Sequence, residues 1–166
     1  WPLVARLRER AATAGLELVV YLSMGFGNPY GEPWEPEITA AAVARLRQLG
    51  IGRVALADTV GNADEARVRD VLAAVEAPSE LGLHLHARPG AWAPQVDAAL
   101  EFGVRWFEGA LGGIGGCPFA GDDLVGNLPT EAVLPYLAAQ GLELDVDMSR
   151  LGALAADAAG LAHAAR

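Results

Sequence analysis

The chain has 166 residues, with 12 basic side chains, all arginine, against 21 acidic ones, for a net charge of −9. Its 52% apolar and 20% charged content belongs to a globular domain with a real core and excludes disorder, and the acidity with scattered arginines argues against a nucleic-acid partner. The absence of lysine excludes both a phosphate-binding GxxxxGK loop and a Schiff-base lysine. One cysteine allows no internal disulfide, no apolar run approaches the roughly 20 residues of a membrane span, and no charged-then-apolar leader opens the chain. The expectation is a cytoplasmic protein with no membrane association.

The first residues are Trp1-Pro2-Leu3 rather than Met and run directly into a helical pattern, which reads as the inside of a larger protein. Leu3, Val4, Leu7, Ala11 and Ala14 recur at helical spacing with arginines on the other face, and Gly15 marks the end. The run Leu16 to Met24 between two glycines predicts a buried strand, and after the loop GFGNPYGEPWEP the stripe Ile38, Ala41, Ala42, Leu46 and Leu49 predicts a helix stopped by Gly50. The unit then repeats. Arg53 to Ala57 reads as a strand, and Asn62 with Glu65 reads as the cap of a helix carrying Val68, Val71, Leu72 and Val75 inward. Leu81 to His86 is the next strand, followed by a helix around Pro94 to Phe102. Val104 to Leu111 is a further strand and Pro129 to Gln140 a helix, and the tail from Leu142 holds LELDVD and then an Ala-rich helix.

Strands alternating with helices every 25 to 35 residues or so specify βαβ units and a parallel sheet. No GxGxxG follows the first strand, and polar loops follow the C-terminal end of each strand, which favours an α/β fold of the (β/α)8 TIM-barrel type over a doubly wound sheet. A full barrel takes about 250 residues. This chain supplies four βα units, so residues 1–166 are expected to form a single domain that is half a barrel, with two unpaired edge strands, Val19 to Ser23 and Val104 to Leu111, that promote homo-oligomerisation.

His84 and His86 stand two apart on one strand, so both imidazoles face the same side, near the barrel mouth. They are either half of a metal site or a hydrogen-bonded pair in the core. Asp58 ends its strand in ADTVG, where a barrel keeps active-site carboxylates; the alternative is an Asx-type turn onto Val60 or Gly61. In GALGGIGGCPFAGDDLVGN, from Gly109 to Asn127, five glycines fall within eight residues ahead of Cys117, a candidate acid or nucleophile on a loop able to approach a ligand. Asn127 offers an amide oxygen that, with two histidines and a carboxylate, suits Mg²⁺ or Mn²⁺ better than structural zinc. Asp122 and Asp123 read as solvated charges. Trp34, Trp92 and Trp106 read as packing residues, and His163 as a surface one.

Together, FGNPYGE (Phe26 to Glu32), ADTVG (Ala57 to Gly61), LHLH (Leu83 to His86), GGIGGCPFA (Gly112 to Ala120) and Gly126-Asn127 resemble, in order and spacing, the 3-hydroxy-3-methylglutaryl-coenzyme A lyase family. The resemblance covers nearly the whole chain, and related condensing enzymes and ketoacid aldolases share the HxH strand and the distal Asn but lack the Cys loop. It implies a divalent-metal barrel that cleaves an acyl-CoA, hydroxymethylglutaryl-CoA, to acetoacetate and acetyl-CoA by a retro-aldol step. It further implies His84, His86 and Asn127 as metal ligands, Cys117 as the loop thiol, Asp58 as the catalytic carboxylate and Glu131 as a supporting acid. The family's Arg-Asp pair, which supplies a fourth protein ligand and an enolate-stabilising Arg, and a Glu on the strand after it are absent here, and Ala87 stands where the family usually has Asp. The chain therefore reads as the C-terminal half of such a barrel, with little or no turnover of its own.

Overall fold

The computed structural model describes residues 1–116 and 125–164, with side chains up to residue 161. Helix α1 (Pro2–Thr13) is followed by β1 (Val19–Leu22), α2 (Pro36–Gln48), β2 (Arg53–Ala57) and α3 (Glu65–Ala74). Next come β3 (Gly82–His84), β4 (His86–Ala87), α4 (Ala93–Glu101), β5 (Trp106–Phe107), β6 (Gly109–Ala110), β7 (Gly126–Pro129), α5 (Thr130–Ala139) and α6 (Leu151–Ala164).

The helix stops follow from local chemistry. After α2, Gly50 takes φ +75, its N–H donates to the Arg47 carbonyl (2.9 Å) and the Ile51 N–H to the Leu46 carbonyl (3.1 Å), with Ile51 and Leu46 both buried. Such a turn satisfies carbonyls that a helix end otherwise leaves unpaired. The same pair of bonds closes α1, α4 and α5, each time at a glycine followed by an apolar residue. The cap of α3 differs from the sequence expectation: Asp64, not Asn62, accepts from the backbone N–H at N3, that of Arg67 (2.8 Å). Asn62 is instead drawn into the turn after β2, where its N–H donates to Asp58.

Strands β1, β2, β3 and β5 form a parallel sheet in that order, registered through Tyr21↔Ala55, Ala57↔His84 and Gly82↔Trp106. Among the described residues β1 and β5 are its edges, as expected. Side chains alternate across it. One face sends Val54, Leu56, Leu83 and Leu85 into a core shared with Val43 and Leu46 of α2, Val68, Val71 and Leu72 of α3 and Val96 of α4. The other, concave face carries Tyr21, Gly82, His84, Trp106 and Glu108. Gly82 is required there, because a Cβ would lie 2.4 Å from the Trp106 ring.

Two expected strands are each broken in two. Leu81 to His86 divides at Leu85, and Val104 to Leu111 at Glu108, because beyond these points the chain leaves the parallel ladder for a second small sheet, β4-β7-β6. Strand β7 runs antiparallel to β4, pairing His86 with Asn127, and parallel to β6. LELDVD forms no strand; a short 3-10 turn at Met148–Arg150 leads into α6. Helix α1 buries no residue fully: Leu3 and Leu7 of its apolar stripe are 57% and 45% exposed.

Candidate functional site

The rim where the two sheets meet carries His84, His86 and Asn127. His84 and His86, on the same face as expected, have ring centroids 5.0 Å apart in an edge-to-face arrangement. Each ring is held through Nδ1: that of His84 lies 3.1 Å from Glu108 Oε2, and that of His86 2.5 Å from the Asp58 carbonyl oxygen. A carboxylate and a carbonyl only accept, so each neutral imidazole carries its proton on Nδ1 and keeps the lone pair on Nε2. Histidines that ligate a metal are oriented in this way by the bond at the other nitrogen.

Three residues that touch His86 or pair with it leave a buried oxygen without a partner: Asp58 Oδ2, Gln95 Oε1 and Asn127 Oδ1. Asp58 is 1% exposed, and its Oδ1 accepts the Asn62 N–H (2.8 Å), a turn like the one weighed from sequence but reaching Asn62 rather than Val60 or Gly61. Burial holds its carboxyl above the usual carboxylate range, against the opposing pull of the Asn62 and Ala63 N–H groups and His86. Gln95 donates to the carbonyls of Ala63 and His86. Asn127 is set beside His86 by the β4–β7 register, and its Nδ2 donates to the Ile114 carbonyl (2.8 Å), which turns Oδ1 the other way. Unpartnered buried oxygens are costly. A cation or a donor supplied by a ligand would satisfy them.

Among the described residues no three His, Cys, Asp or Glu side chains converge on one point. The donor set at this rim is mixed: two imidazole nitrogens and one amide oxygen, the type that suits a divalent cation retaining water or substrate oxygens. The residues present fit such an ion. Beside them, a cavity of about 550 Å³ is lined in part by Asn62, Asp64, His86, Arg88 and Gln95.

Glu131 stands at the base of the Gly-rich segment, where its Oε2 accepts the Gly112 N–H (2.9 Å). Cys117, Asp122 and Asp123 lie outside the described residues, as does the side chain of His163. The tryptophans pack as expected: Arg67 lies over Trp34 at 4.9 Å, Arg53 over Trp106 at 4.2 Å, and Trp92 meets Tyr136 edge-on. Sequence reasoning missed Tyr21, Gln95 and Glu108. For Glu108 a signal existed, since a lone carboxylate in the apolar strand pattern VRWFEGAL falls on the face opposite Phe107.

Residues 4–157 match the family model described as HMGL-like. The chain belongs to the HMGL-like family. Among its relatives are the hydroxymethylglutaryl-CoA lyase of Bacillus subtilis (32% identical over 152 residues, 90% of this chain and 50% of the relative) and the (R)-citramalyl-CoA lyase of Chloroflexus aurantiacus (34% over 141 residues, 82% and 44%). The crystal structure of the HMG-CoA lyase from Brucella melitensis superposes with a TM-score of 0.87 at 31% identity, covering 96% of this chain and 57% of that one. That of an HMG-CoA lyase from Acinetobacter baumannii with coenzyme A and 3-methylmalate gives 0.81 at 29% identity, covering 96% and 52%. The HMGL-like chain thus spans about half the length of the relatives it matches, and its fold is part of a TIM barrel that does not close among the described residues. No helix among these residues is long and apolar enough to cross a membrane.

Proposed function

We propose that this chain is the metal-bearing part of a carbon–carbon lyase that cleaves 3-hydroxy-3-methylglutaryl-CoA to acetoacetate and acetyl-CoA. The observation that carries the proposal is the rim itself: two histidines fixed through Nδ1 beside an asparagine whose buried Oδ1 has no partner. His84, His86 and Asn127 would hold Mg²⁺ or Mn²⁺, which when bound supplies Lewis acidity toward a hydroxyl and a carboxylate. Asp58 supplies a buried carboxyl that keeps its proton more readily than usual, next to His86, and so can hold a proton passing to or from the substrate. Glu131 anchors the segment leading to Cys117, whose thiol is the proposed acid for the departing enolate.

The matched relatives are about twice as long, so the activity is assigned to the complete barrel, and the 166-residue chain is expected to turn over little or no substrate alone. We place the protein in the cytoplasm with an acyl-CoA as its substrate. The citramalyl-CoA lyase relative favours a second reading, the same chemistry on another acyl-CoA. A chimera tests both: residues 4–157 replace the stretch they match in the Bacillus subtilis lyase. Metal-dependent acetoacetate release, lost in H86A, is expected. A folded chimera that cleaves only another acyl-CoA establishes the second reading. One that binds Mn²⁺ and cleaves neither leaves a non-catalytic half-barrel and overturns both.

A further inference from the structure

Glu108 lies between two groups on the concave face. Its Oε1 accepts the Tyr21 hydroxyl at 2.6 Å across the sheet from β1, and its Oε2 accepts from His84 Nδ1 at 3.1 Å. The Tyr21 and His84 rings stand edge to face with centroids 6.2 Å apart. The carboxylate is set in place by backbone: the Glu108 N–H donates to the Leu83 carbonyl (3.0 Å), which places it beside the strand that carries His84. Among the described residues His84 has no counterpart of the backbone carbonyl that fixes His86. Its only described hydrogen-bond partner on the ring is this carboxylate.

Resting on the metal-lyase reading above, we infer that Glu108 is a positioning residue, with Tyr21 as its brace, that locks His84 as the Nδ1–H tautomer and so presents Nε2 to the cation. An imidazole free of this bond can carry its proton on either nitrogen, and the form protonated at Nε2 cannot ligate through it. The phenol engages Oε1 and so leaves Oε2 facing His84. Tyr21 is 50% exposed, so the brace sits at the open edge of the sheet rather than in its core.

The test uses the whole 166-residue chain. The tautomers of His84 and His86 are read without metal by long-range ¹H–¹⁵N correlation at pH 8, and Mn²⁺ affinity is measured separately by titration followed by electron paramagnetic resonance. In the wild type both histidines are expected in the Nδ1–H form. In E108A, His84 alone redistributes toward the Nε2–H form and the Mn²⁺ dissociation constant rises about 10- to 100-fold. E108Q keeps an acceptor oxygen in place and is expected to restore the tautomer and most of the affinity. E108M, matched in length, is read beside E108A in case truncation unfolds the strand. His84 remaining Nδ1–H, with unchanged Mn²⁺ affinity, in both E108A and E108M would overturn the inference. If the wild type binds no Mn²⁺ the metal reading falls, while the metal-free tautomer still decides the role of Glu108.

Discussion

Gly115 has φ +96, and a Cβ on it would come within 2.9 Å of Asn127 Nδ2. G115A therefore meets two penalties, about 1 kcal/mol or more for a side chain in that backbone region and displacement of the amide that faces the site. Its Mn²⁺ affinity is expected to fall roughly 10-fold or more while circular dichroism stays native; unchanged binding would remove Asn127 from the donor set. Gly82 differs because the obstacle is the Trp106 ring, so G82A is expected to cost about 2 kcal/mol of overpacking in urea denaturation without altering the donors directly. At this scale the sequence revealed the side chains proposed for the site and concealed those that orient them. His84, His86, Asp58 and Asn127 stand out by type and position, whereas Glu108 and Gln95 act through His84 and the His86 carbonyl, 24 and 9 residues away, which no local pattern connects.

Helices α4 and α5 are tied by Tyr136, whose hydroxyl lies 2.6 and 2.7 Å from the two Asp97 carboxylate oxygens and whose ring meets Trp92 edge-on. The bond to Asp97 holds the Tyr136 phenol above its ordinary value of 10.0. The fold binds that proton more tightly than the unfolded chain does, so the contribution is complete below pH 10 and lost as pH rises through the folded value. Y136F is expected to lower the urea midpoint at pH 7, by about 1 kcal/mol for a partly exposed bond, and to remove most of that alkaline loss. An alkaline profile equal to the wild type's would show that the tie does not titrate with folding. D64A should cost α3 about 1 kcal/mol in the same assay, and N62A should leave its N-terminus intact. Helices were legible because their glycine stops and apolar stripes are local. Strand β7 was not: GNLP has no strand propensity, and its pairing comes from the rim, where β4 and β6 offer free backbone on both sides.

Across the whole molecule, the alternation of strand and helix specified the parallel sheet and its two edges. The count of four units specified that it would stay open. What sequence periodicity could not show is the fate of the surfaces a closed barrel covers. The α1 stripe and the concave face at Tyr21 are solvent-exposed, and among the described residues β1 and β5 each present one unpaired edge. Self-association is therefore expected, with light scattering giving a mass above the 17.3 kDa of one chain; a clean monomer at tens of micromolar would contradict it. His84, His86 and Asn127 are proposed to hold one divalent cation together. Pulsed electron paramagnetic resonance of Mn²⁺ added to the chain reads this ligand set. Two coupled imidazole nitrogens are expected, one remaining in H84A or in H86A. A bound Mn²⁺ with no nitrogen coupling, held by oxygens alone, would contradict it.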